Sequence, residues 1–173
     1  MKPQDYIKFR FEIDGDVQLS RAFDTMGVNI QDLSEGFREI VEDFHKHMTL
    51  VFQFEGAHEG RERWAPLSHH YKLWKDVHYP GKKILQRTER LKDSLTNKYH
   101  PGSIVRVEKL QMTVGTSVGY AKKHQTGDVM YHLPQRKIIE LTDVTKKRWT
   151  GIIHKHISKQ AVSVWGKVRP KFR

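Results

Sequence analysis

The sequence predicts an α+β fold, a small, mostly antiparallel sheet packed with a long amphipathic helix and a C-terminal helix. Three patterns carry that expectation. Residues 6–13 alternate apolar and charged side chains at period two, residues 30–51 place apolar side chains at a period near 3.6, and residues 104–115 alternate again in two blocks.

Each element follows from its residues. Ile7, Phe9, Phe11 and Ile13 share one face of Tyr6–Ile13, and Lys8, Arg10 and Glu12 share the other, as in a half-buried strand. Asp14-Gly15-Asp16 supplies turn chemistry, and Val17 and Leu19 open a short return strand. Asn29 is placed to cap a helix whose apolar positions are 30, 33, 37, 40, 41, 44, 48 and 51. Gly36 within it costs about 1 kcal/mol against Ala, so it marks either a close contact or a weak point. Glu55–Arg63, with two Gly and no clear period, is expected to be an exposed loop.

Leu67–Val77 is expected to form a short helix ended by Tyr79-Pro80-Gly81, and a helix over about 87–97 is stopped by His100-Pro101-Gly102. Ile104–Gly115 reads as a hairpin with Val105 and Val107 on one strand and Leu110, Met112 and Val114 on the other. Glu108-Lys109 is not a favoured two-residue turn, which leaves the register open. Tyr120–His124 fits one helical turn, and Val129–Leu133 fits a further strand. Leu141-Thr142-Asp143 opens a last helix with Trp149, Ile152, Ile153, His156, Ile157 and Ala161 on one side. Residues 1–160 are expected to form one domain, and 161–173 a basic-aromatic extension.

Composition narrows the function. The chain has 173 residues, 31 Lys and Arg against 20 Asp and Glu, and a pI near 9.8. That excess favours an acidic partner, whether nucleic acid, an anionic membrane or an acidic protein surface. The absence of Cys excludes disulfides, thiol nucleophiles and thiolate zinc sites. No signal-like segment opens the chain and no stretch approaches the roughly 18 apolar residues of a membrane span. A soluble protein made in a cytoplasm, with no membrane partner, is therefore expected.

Chemistry-bearing motifs are scarce. Eleven His residues invite a metal reading, but His45/His47 and His154/His156 stand two apart on predicted helices, on nearly opposite sides. Helical metal pairs need i,i+4 spacing. Ser68, Ser94 and Ser117 lack a nucleophile motif, and Gly115–Gly119 is no phosphate loop. Glu42/Asp43 and Asp14/Asp16 read as surface and turn carboxylates. No catalytic residue, cofactor or metal is therefore expected, and a hydrolase is a minor alternative. Two basic clusters stand out as a face for DNA or an acidic partner: Lys82, Lys83, Arg87 and Arg90, and Lys146, Lys147, Arg148, Lys155 and Lys159.

One broken track through the middle of the chain adds a resemblance. Trp64-x-Pro66-Leu67 follows the polar loop; Ile84-Leu85, Thr88, Leu91, Ser94 and Leu95 come next; Val114-Gly115-Thr116, Tyr120-Ala121-x-x-His124-Gln125-x-Gly127 and Pro134-x-Arg136 complete it. In order and spacing these resemble the phage virion morphogenesis (tail completion) family over about residues 55–145. Glu89 stands where that family often has Gly, which would leave the turn before the helix without a positive φ and Thr88-Glu89 as a helix start. Lys137 replaces a frequent Pro.

The resemblance implies a small α+β structural protein of the phage neck or tail, assembled in the host cytoplasm and incorporated in the virion. Copies would form a ring, six-fold by expectation, joining the head connector or adaptor protein to a tail terminator or tail tube protein, with genomic DNA in the lumen. The motif residues would then be structural: Trp64, Pro66 and Leu67 fixing a loop, Tyr120, Ala121, His124 and Gln125 setting a turn, and Gly127 permitting close backbone approach. A sequence-neutral nucleic-acid-binding protein is the alternative, resting on the same Lys and Arg.

Overall fold

The computed structural model describes residues 7–12 and 32–165, with side chains from 32 to 159. The described elements are β1 (Ile7–Glu12), α1 (Ser34–Gln53), α2 (His69–His78), α3 (Arg90–Thr96), β2 (Ser103–Val107), β3 (Gln111–Thr116), α4 (Tyr120–Thr126) and α5 (Asp143–Trp165). The strands form one antiparallel sheet in the order β1-β3-β2. The expected α+β class is observed. The Asp14–Asp16 turn, the return strand and Asn29 lie outside the described residues.

β3 is the central strand, and its residues from Met112 to Thr116 are all buried. Phe9 pairs with Val114 and Phe11 with Met112 on one side, while Val105 and Val107 pair with the same two residues on the other. The hairpin solves the poor Glu108-Lys109 turn by lengthening it: Val107 pairs directly with Met112, and Glu108 N–H donates to Gln111 O. Leu110 therefore sits in the turn, half exposed, rather than on the strand.

α1 is the axis of the core. Phe37, Ile40, Val41, Phe44, Met48, Val51 and Phe52 are buried along it, against Leu91 and Leu95 of α3, Met112 and Val114 of β3, and Trp149, Ile153 and Ile157 of α5. Each such side chain contributes about 1.5–3 kcal/mol on leaving water. The helix begins at Ser34, later than the expected cap at Asn29, where Asp32 Oδ1 accepts from Ser34 N–H at 2.8 Å. Gly36 is a close contact: a Cβ there would stand 3.2 Å from Ile153 Cδ1 and His156 Cδ2, so α5 crosses α1 where no side chain intervenes.

Three further expectations are corrected. The loop at 55–63 is not simply exposed, because Arg61 and Gly56 are buried and Glu55 N–H, Gly56 N–H and Trp64 N–H all bond backbone carbonyls. Its side chains bond inward because the next segment brings Trp64 into the core against Phe52, ring centroids 5.3 Å apart. Val129–Leu133 is a turn rather than a strand: Asp128 and Leu133 exchange backbone hydrogen bonds and push Val129, Met130 and Tyr131 into solvent. Its apolar residues form an exposed tip, not a core face.

The third concerns Glu89. Its φ is +57°, so the position before α3 does adopt the left-handed conformation, and Glu89 accepts it at a steric cost that Gly would avoid. α3 starts at Arg90, and the Thr88 side chain takes no part in capping. Glu89 recovers something through ion pairs with Lys82 and Lys92, but these partly exposed pairs are weak. Glu89→Gly is expected to be more stable than Glu89→Ala by about 1 kcal/mol, read as the difference in urea midpoints. Equal midpoints would show that the backbone there is unstrained.

Candidate functional site

Two long stretches, residues 54–68 and 127–142, contain neither helix nor paired strand beyond the single Asp128–Leu133 bridge. Buried peptide groups in such segments still require partners. Side chains of the motif residues supply them. Gln125 uses its whole amide: Oε1 accepts from Ile138 N–H (2.7 Å) and Ile139 N–H (3.1 Å), and Nε2–H donates to Ile139 O (2.8 Å). Trp64 Nε1–H donates to Lys137 O at 2.8 Å. Arg136 donates back through Nε to Ala65 O (2.8 Å) and Nη2 to Pro66 O (2.9 Å), and its own N–H bonds His124 O. Arg61, outside the motif, donates to Lys137 O and Ile138 O from below.

Gly127 makes this junction geometrically feasible. Its φ of +76° and ψ of 168° fall in a region that only Gly populates readily, and a Cβ would lie 3.1 Å from Gln135 N. The expected close backbone approach is observed. Ser94, buried in α3, donates to Leu91 O and shares a 2.7 Å hydrogen bond with Thr116 of β3, which explains its place without nucleophilic chemistry. Ala121 and Leu91 are fully buried core residues.

Above the junction lies an open groove of about 1150 Å³. Pro66, Leu67, Leu85, Thr88, Tyr120, His124, Pro134 and Arg136 all line it, so eight of the motif residues meet in one place. Trp64, Ser94, Gln125 and Gly127 hold surrounding backbone, and Leu91 and Ala121 sit in the core. The α2 side of the groove carries Tyr71, stacked on Trp74 at 5.5 Å, with Leu73 and Val77 beside them in the helix and exposed. The opposite rim is the Val129–Tyr131 tip, where Lys123 Nζ lies 4.4 Å from the Tyr131 ring centre. Together these are more exposed apolar side chains than an isolated surface needs.

The groove is cationic. Lys75 is buried and donates to Lys82 O and Lys83 O, holding the chain after α2. Arg136 has no carboxylate within ion-pair distance among the described residues, and burial lowers its pKa. His124 is held neutral, its pKa lowered to about 4 by burial first and by the Arg136 charge second.

The two basic clusters do not merge into one stripe. Lys83 donates to Gln53 O at the C-terminal end of α1, whereas Lys155 pairs with Glu39 near its other end. Fourteen helical residues separate those anchors, about 21 Å. Several cations are already neutralised: Lys82 by Glu89, Lys146 by Asp143, and Arg148 by Asp43 and Glu59. Arg87, Arg90, Lys147 and Lys159 have no ion-pair partner among the described residues.

Sequence spacing also concealed one cluster. His45 and His47 do not face each other, but both are buried: His45 Nδ1 bonds Leu95 O, and His47 meets His58 and Glu59 of the following loop. A separation of eleven positions, part helix and part loop, has no period that a local search detects. His156 is likewise buried and bonds Glu39 at 2.9 Å, while His154 is exposed.

Two measurements test this arrangement. Gln125→Ala leaves the Ile138 and Ile139 amides unpartnered, and should destabilise the fold by about 2–4 kcal/mol, with faster hydrogen exchange at those two amides than at β3. Unchanged exchange would remove Gln125 from the clamp. The second is a pH series. A histidine with a depressed folded pKa leaves the unfolded chain binding more protons, so stability is full above about pH 6.5 and declines towards pH 4. His124→Gln should flatten that part of the profile; an unaltered slope would show that His124 is not held neutral.

No curated protein and no solved structure gives a significant match. The model of the phage virion morphogenesis family matches residues 14–158, extending well beyond both ends of the motif track and spanning α1, the junction and most of α5. The chain therefore belongs to the phage virion morphogenesis family, with a structural or assembly role in the phage virion.

Proposed function

We propose that this protein is a tail-completion or neck component that acts without catalysis or a cofactor. Copies form a closed six-fold ring joining the head connector or adaptor to the tail terminator or tail tube protein. Assembly takes place in the host cytoplasm, and the ring stays at the neck of the virion. Residues 1–160 act as one domain, and the basic-aromatic residues 161–173, whose first five continue α5, serve assembly.

The observation that carries this reading is the pairing of the groove with its exposed apolar rims, α2 on one side and the Val129–Tyr131 tip on the other. A cyclic ring needs two different complementary patches on each subunit. The protruding tip, with Val129 and Met130 almost fully exposed, is one such patch, and the aromatic face of α2 is suited to receive it. Desolvating these side chains drives association in proportion to apolar area. Arg87, Arg90, Lys147 and Lys159, without a carboxylate partner among the described residues, then suit an acidic neighbour or the DNA that passes through the ring.

Those same cations favour the second reading, sequence-neutral nucleic-acid binding as the main task. Symmetry-resolved imaging of the head–tail junction, joined to native mass spectrometry of the purified chain, separates the two. A closed ring of this chain is expected at the junction, and a Val77→Asp, Val129→Asp double variant should yield heads and tails that fail to join. Absence of the chain from particles, with tight DNA binding that falls steeply with salt, would transfer the function to nucleic-acid binding.

A further inference from the structure

The loop at 55–63 folds back on α1 and builds a second constellation, remote in sequence from the motif residues. Glu59 and Gly60 both adopt positive φ, +51° and +78°, which turns the loop tip inward. There His58 and Glu59 meet His47 on the buried side of α1. His47 Nδ1 lies 3.2 Å from Glu59 Oε2, and His58 Nε2 lies 3.6 Å from Glu59 Oε1. One ligand atom from each of the three lies within 4.8 Å of the others. Donors 2.0–2.1 Å from a tetrahedral ion would be about 3.3 Å apart; the two measured approaches, which end on different Glu59 oxygens, are near that spacing, and the three groups draw together from within 4.8 Å on binding.

The imidazoles pack against each other, and His58 stacks on Phe54, but their buried ring nitrogens are unsatisfied. The His47 side chain is only 4% exposed, yet neither of its ring nitrogens makes a hydrogen bond, and His58 Nε2 is buried without one as well. Buried polar atoms left in this way are costly and call for a partner. By contrast, His45, two residues away on the same helix, bonds Leu95 O through Nδ1.

Charge permits a cation despite two nearby arginines. Arg61 is paired with Glu140, and Arg148 bonds Asp43 as well as Glu59. Three carboxylates, Glu59, Asp43 and Glu140, thus face Arg61, Arg148 and Lys137, so the surroundings are balanced in charge at a site of neutral imidazoles. Burial is what keeps His47 neutral, the form that binds a metal. Glu59 is oriented from outside the cluster by Arg148 Nη1 at 2.6 Å and Thr145 Oγ1 at 3.2 Å, as carboxylate ligands commonly are. The partly exposed edge at His58 and Glu59 gives an ion a path and leaves a coordination position for water.

We propose that His47, His58 and Glu59 bind a divalent transition metal of the zinc class, pinning the 55–63 loop to α1 and, through Arg148 and Thr145, to α5. This is a structural site. The pinned loop carries Arg61 and leads into Trp64, the two side chains that clamp Lys137 and Ile138.

The test uses the full chain, freed of metal by chelation and titrated with Zn²⁺ by calorimetry, and with Co²⁺ for its visible absorption. One Zn²⁺ per chain, a raised Tm, and the intense visible bands of four-coordinate Co²⁺ are expected. His58→Ala should fold, because His58 lies in a surface loop, and should weaken binding by about 100-fold. His69→Ala, His70→Ala alters the exposed pair at the start of α2 and should leave the Zn²⁺ affinity unchanged. No stoichiometric binding, or binding that survives His58→Ala but is lost with His69 and His70, would overturn the proposal.

Discussion

Between Pro134 and Leu141 the backbone donates to another backbone group only at Arg136, among the described residues, so the other peptide groups there depend on side chains sent from other elements. Gln125, Trp64 and Arg61 bond residues 137–139, and Arg136 returns the bonds to residues 65 and 66. The two irregular stretches are thus stitched together by side chains with fixed planar geometry, an amide, an indole and two guanidinium groups. The junction positions the 134–136 floor of the groove, while Lys75 holds the chain on the α2 side. Several of the scattered pieces of the family track, at Trp64, Gln125 and Arg136, are ends of these cross-links.

The junction has an electrostatic consequence. Arg61 and Arg136 are buried largely for their donors, and backbone carbonyls are poorer compensation for a guanidinium than carboxylates are. Arg61 has Glu140 nearby, whereas Arg136 leaves its charge at the groove floor beside a neutral His124. Structural demand therefore makes the groove positive, and an acidic group on a neighbouring subunit would find that charge already desolvated. Lys75 follows the same logic, with its amine committed to two carbonyls.

Stability and assembly draw on different surfaces. α1 spends its apolar face on the sheet, α3 and α5, with Gly36 letting α5 approach. α2 spends little: among its residues only Lys75 is buried, and Tyr71, Leu73, Trp74 and Val77 remain exposed. A helix so poorly covered in the monomer is consistent with a virion protein whose folding is completed by a neighbour, and the apolar 129–131 tip across the groove has the same character.

By itself, the sequence determined the elements whose apolar pattern is local. The long helix, the 103–116 hairpin, the short helices, the start of α5 at Leu141-Thr142-Asp143 and the phage virion family were all legible in residue order. Periodicity reports which face is buried, and that needs no knowledge of the partner. Only the tertiary structure decided the rest. It placed Leu110 in a turn and the 129–131 residues on an exposed tip, because apolar character alone cannot distinguish a core face from an exposed one. It showed Glu89 in a left-handed conformation, since the path of the chain into α3 overrides a side chain's own preference. It brought His47 to His58 and Glu59 and turned Arg61 inward, because side-chain partners separated by loops obey the geometry of packing and leave no period in the sequence.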